Sequence, residues 1–112
     1  MRRAIAFTDV DVSNDGVITC AVHRDGEAQE LWFRLPYAFT PAQLDAYGAK
    51  ELHVLETLLR QGDRKTFRDV ADRIAKKIGW TRGPYDTDRD FLSAYYAAVR
   101  GRLEQKLLMG VR

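Results

Sequence analysis

The apolar residues of this chain change their spacing once, at Pro36, and that change restricts the fold more than any other feature. Before it they alternate or run in short β-branched stretches; after it they recur every three or four residues. "AIAF" (4–7), "VITCAVH" (17–23) and "ELWFRL" (30–35) are set apart by "SNDG" and "RDGEAQ". Asn-Asp-Gly and Arg-Asp-Gly supply the positive-φ positions that hairpin turns need. Residues 4–35 are therefore predicted to form an antiparallel meander of three strands. Val10 and Val12 break the parity set by Ile5 and Phe7, which predicts a bulge or bend in the first strand. In the third strand Leu31, Phe33 and Leu35 share one face, and Trp32 and Arg34 the other.

Everything after Pro36 reads as helix. Thr40-Pro41-Ala42-Gln43 is a capping box with Pro at the first helical position, and Gly48 ends this short helix. "AKELHVLETLLRQG" then places Leu52, Leu55, Leu58 and Leu59 on one side and stops at Gly62. Thr66, three residues before Asp69, is read as the next cap. Phe67, Val70, Ala71, Ile74, Ala75 and Ile78 follow at the cleanest helical spacing in the chain, up to Gly79. Thr87 and Asp90 repeat the capping pattern and open a helix from about Asp88 to Leu108. Its apolar stripe is Leu92, Tyr95, Val99, Leu103 and Leu107, and Gly110 is its stop. The expected fold is α+β, one domain over residues 1–112. An N-terminal three-stranded antiparallel meander (1–36) packs against three to four C-terminal α-helices (37–112).

The single cysteine, Cys20, cannot form an internal disulfide, which favours a reducing, cytoplasmic setting. The apolar run of "MRRAIAFTDVDV" is broken by Asp9 and Asp11, unlike a signal peptide, and no stretch approaches a membrane span.

The inventory of reactive groups argues against catalysis. Asp86, Asp88 and Asp90 match the first, third and fifth ligands of a calcium loop, but Phe91 stands where Gly is required and Ala97 where Glu is required. "DVSNDGVITCAV" fails at its closing position, Val22, and strands flank it. His23, His53 and Cys20 are not at metal-ligand spacing. No phosphate loop, nucleophile elbow or zinc-protease helix occurs. No enzyme activity, metal site or cofactor is expected, and helix capping accounts for the three aspartates.

Two binding readings follow. The leading one is a small non-enzymatic interaction module (adaptor, inhibitor or regulator) acting as a homodimer. Trp32, on the face opposite Leu31 and Phe33, is expected near solvent. Tyr95 and Tyr96, adjacent on the last helix, cannot both point inward. Arg82, Pro84 and Tyr85 are expected to be held outward on a short loop, with Trp80 leaning on the core. The partner-facing set is thus Trp32, Arg82, Tyr85 and Tyr96. The alternative is DNA or RNA binding. Residues 1–49 carry four Lys/Arg against seven Asp/Glu, whereas residues 50–112 carry fourteen against nine. Between residues 60 and 82 lie Arg64, Lys65, Arg73, Lys76, Lys77 and Arg82, interleaved with Trp80. In pattern "VLETLLRQGDRKTFRDVADRIAKKIG" is similar to the first two helices of a winged helix–turn–helix domain. The break after Gly79 exceeds a tight DNA-reading turn, no hairpin wing follows the last helix, and Asp69 and Asp72 share the basic surface.

Overall fold

The structure, a computed structural model, describes the backbone of residues 5–12, 17–24, 27–34, 37–83 and 86–108. Strands β1 (Ile5–Val12), β2 (Ile18–Arg24) and β3 (Glu27–Arg34) form the expected antiparallel meander. The β1–β2 register runs from Ile5 opposite Arg24 to Val12 opposite Ile18 and shifts between Thr8 and Asp11, so the bulge inferred from broken parity is present. A fourth strand, β4 (Tyr37–Phe39), adds to β3, with Trp32 opposite Phe39 and Arg34 opposite Tyr37. The strand region therefore reaches three residues past the boundary read at Pro36.

That short strand decides which face of the sheet is buried. Register places Trp32, Tyr37 and Phe39 on one face, and these three, with Val17 just before β2, are buried in the core. Trp32 is 3% exposed, contrary to its expected place near solvent. Counted on β3 alone, Leu31 and Phe33 outweigh Trp32. Counted across the sheet, Tyr37 and Phe39 reverse the balance, because one large aromatic can bury more area than an aliphatic side chain. The indole N–H donates to Glu30 Oε1 at 2.8 Å, and Arg102 of the last helix reaches the same oxygen at 3.4 Å. Gly101 lets the helix backbone come close to the ring; a Cβ there would lie 3.2 Å from Trp32 Cζ3.

Four helices follow: α1 (Pro41–Leu44), α2 (Ala49–Gln61), α3 (Arg64–Ile78) and α4 (Asp88–Leu108). Thr40 forms both halves of the capping box with Gln43. Gly48 is the N-cap of α2 rather than the stop of α1. The cap of α3 is Asp63, whose Oδ1 accepts from the Thr66 N–H at 2.8 Å. The pattern read at Thr66 was thus three residues late: an aspartate is as good a cap as a threonine, and the earlier one adds a helical turn. Gly79 closes α3 in the left-handed region, φ 73°. Thr87 Oγ1 accepts from the Asp90 N–H at 3.1 Å, as expected for the cap of α4.

Helix α4 is the hub, since the sheet, α1, α2 and α3 all pack on it. In its first half Phe91, Leu92, Ala94, Tyr95, Ala97, Ala98 and Val99 are buried. A helix covered on several sides shows no single apolar stripe. Past Gly101 the covering thins. Leu103 still packs against the core, but Leu107 and Leu108 are exposed, so the predicted stripe leaves the core before its last member. Among the expected core residues, Leu55, Ile74 and Val99 are buried, and Leu59, Phe67, Val70 and Ile78 pack at its margin.

Candidate functional site

Arg82, expected to face outward, is folded into the protein. Its Nε donates to Asp86 Oδ2 at 3.2 Å, and its Nη2 donates to the Asp86 carbonyl at 2.9 Å and to Asp88 Oδ1 at 2.8 Å. Its guanidinium carbon also lies 5.1 Å from the centre of the Phe91 ring. Asp86 in turn accepts a short hydrogen bond from the Tyr37 hydroxyl and a longer one, 3.4 Å, from Trp80 Nε1. Burial, then the hydrogen bond to Asp86, pushes the Tyr37 phenol well above its ordinary pKa, so it stays protonated and donating. Trp80 packs on Tyr37, Phe39 and Phe91, as expected of a core-leaning ring. The loop after α3 is thereby tied to β4 and to the start of α4. Helix capping, the expected account of the three aspartates, does not cover Asp86, because the fold brings Tyr37, 49 positions away, to meet it.

The other partner-facing candidates do not join Arg82. Trp32 lies in the core, and Tyr85 lies outside the described residues. Tyr95 is buried and donates to the Gln43 carbonyl at 2.7 Å, whereas Tyr96 is half-buried and donates to Glu56 Oε2 of α2 at 3.2 Å, so the two adjacent tyrosines do divide. In the basic set Arg64, Lys65, Arg73, Lys76 and Lys77 are exposed along α3, beside exposed Asp69 and Asp72. Arg82 leaves this set for the aspartates, Asp72 among them at 3.6 Å. Among the described residues no group of His, Cys, Asp or Glu is placed to hold a metal ion, and no helix is long and apolar enough to cross a membrane.

Two other places on the described surface are apolar. The first is the sheet face turned away from the helices, which carries Ile18, Cys20, Val22, Leu31, Phe33 and Ala38. None of these packs against the helical core, and neighbouring Val12 is exposed. Cys20 is a buried free thiol, and burial pushes its pKa up, away from reactivity.

The second is a cavity of about 230 Å³ between α2 and α3, floored by Tyr95 and Val99 of α4. Both helices rest on α4 and touch each other little. Only Gly62 and Asp63 separate them, and a Cβ at Gly62 would lie 3.1 Å from Phe67 Cε1 of α3. Five of the thirteen residues of α2 are Leu or Val, yet only Leu55 is buried in that helix and Val54 is 65% exposed. More apolar residue than burial was the available sign of this groove.

The chain matches no known protein-family model, no curated protein and no solved structure.

Proposed function

We propose that this protein is a small non-enzymatic interaction module that acts as a homodimer, joined through the outer face of its sheet. One observation carries the reading. Helices cover only the Trp32 face, while Ile18, Val22, Leu31 and Phe33 form an apolar patch on the other, with the oppositely charged pair Arg24 and Glu27 at its end. A sheet with one apolar face left over normally buries it against a second layer. A second copy can supply that layer, and sheets pack face to face at about 10 Å. The three long strands present roughly 25 by 15 Å at standard spacings. Two such faces cover about 750 Å² together, less than a standard specific interface, so the expected association is weak and transient. We also infer a cytoplasmic setting, because a chain with one cysteine has no internal disulfide to form.

Sedimentation equilibrium over the micromolar to submillimolar range tests it. The protein should dimerise, and Phe33→Lys should hold it monomeric while far-UV circular dichroism stays the same. A monomer at every concentration, or an unaffected dimer in the variant, rejects the reading. Nucleic-acid binding through α3 has less behind it, because Arg82 is engaged elsewhere and Asp69 and Asp72 interrupt the cations. Salt-sensitive retention of mixed-sequence DNA or RNA would favour that alternative instead.

A further inference from the structure

We propose that the groove between α2 and α3 binds a small amphiphile: a medium-chain alkyl or aryl carboxylate. The proposal is independent of the dimer reading, since it uses the opposite side of the molecule from the outer sheet face.

Size and lining set the tail. The cavity measures about 230 Å³, and its walls are mostly side-chain carbon from Leu52, Leu55, Val70, Ile74 and Val99. An apolar cavity of about 150 Å³ stays dry and takes up benzene. This one therefore has room for a ring with a short chain, or a chain of similar carbon count. It is too small to take a partner helix, which would need a longer trough. It is also open to solvent, since its lining residue Val54 is 65% exposed, so a ligand can enter without unfolding either helix.

The rim sets the head. Three ionisable groups stand there besides Tyr47: Arg73 and Glu51 line the cavity, and Lys77 holds its ammonium 4.3 Å from the centre of the Tyr47 ring. Two of the three are cations. Arg73 has no ion-pair partner among the described residues, so its fork is available for a bidentate carboxylate. Glu51 opposes an anion, but it sits in the first turn of α2, where the helix N-terminus offsets its charge. An anionic head beside Arg73 with its tail on Ile74 and Val99 satisfies both parts of the site. Few polar groups fixing the orientation of an apolar ligand is the usual composition of such sites.

The test compares octanoate, octanol and octylammonium by titration, read as amide chemical-shift changes on α2 and α3. Octanoate has about ten non-hydrogen atoms, which sets a millimolar to high-micromolar dissociation constant. Octanoate should bind most tightly and octylammonium least. Arg73→Glu, at an exposed position, should weaken octanoate at least tenfold and leave octanol unchanged. Val70→Phe, which fills the cavity, should abolish binding of both. No shift with octanoate at tens of millimolar, or shifts that fall outside α2 and α3, overturns the site. Equal or tighter binding of octylammonium, or octanoate affinity unchanged in Arg73→Glu, overturns the assignment of the head. Should Val70→Phe fail to fold, the comparison of heads and the Arg73→Glu result still decide.

Discussion

Replacing Arg82 with alanine separates a surface arginine from a structural one. The Arg82 side chain is 20% exposed and that of Asp86 only 8%. Removing the guanidinium takes a charge-assisted donor from each of the Asp86 carboxylate, the Asp86 carbonyl and Asp88. Breaking a fully buried ion pair from one side costs about 3–5 kcal/mol, because a charge is left without a partner. Here Asp86 keeps the Tyr37 hydroxyl and the Trp80 N–H, and Asp88 can turn to water. The expected cost is therefore lower, about 2–3 kcal/mol. For a chain of 112 residues that lowers the melting temperature by about 10 °C.

The assay is urea unfolding followed by tryptophan fluorescence, since Trp80 and Trp32 both lie in or against the core. Arg60→Ala is the control. Arg60 pairs with Glu56 at 2.9 Å on an exposed helix surface, and its loss should cost under about 0.5 kcal/mol. Arg82→Lys should recover only part of the loss, because an ammonium cannot reproduce a fork shared by two aspartates. An Arg82→Ala protein within about 0.5 kcal/mol of the parent would refute the buried network and return Arg82 to the surface.

Ile74 is buried where α3 meets the core, and Ile74→Ala should cost about 2–4 kcal/mol, toward the lower end because the groove beside it is already open; an unchanged urea midpoint would contradict this. Asp45 is held below the ordinary carboxylate pKa, first by the hydrogen bond from Arg102 and then by Lys106. A depressed folded-state value contributes stability above the unfolded value of about 3.9, and that contribution is lost as pH falls through the folded value. The site is over a third exposed, so Asp45→Asn should cost at most about 1 kcal/mol at neutral pH. The difference should shrink as pH falls below the ordinary carboxylate value, and a gap in urea midpoints that stays constant through that fall would place the effect elsewhere.

What the sequence made legible was local. Caps at Thr40 and Thr87, the left-handed stop at Gly79, the bulge in β1 and the stripe through Ile74 each depend on residues within a few positions of one another. What it hid were choices made between distant segments. Trp32 was placed on the wrong side because the deciding residues, Tyr37 and Phe39, belong to a three-residue strand too short to show a period. Arg82 looked like an outward arginine in a Gly-Pro loop because its close partners Asp86 and Asp88, four and six positions on, were assigned to capping α4, whereas the contacts that close the network, Tyr37 with Asp86 and Asp72 with Arg82, come from β4 and α3. In both cases the same quantity was missing, namely which polar or aromatic group meets which across the fold. The α2–α3 groove differs in kind. Its sign was present in α2 as an apolar arc too wide for the burial its neighbours supply. The outer sheet face bears the same sign: apolar residues at alternate positions on the face that no helix covers. An excess of apolar surface over available covering is a sequence-level quantity once the number of layers is known. In this chain it marks two apolar surfaces that the described helices and strands leave uncovered, the surfaces on which both proposals rest.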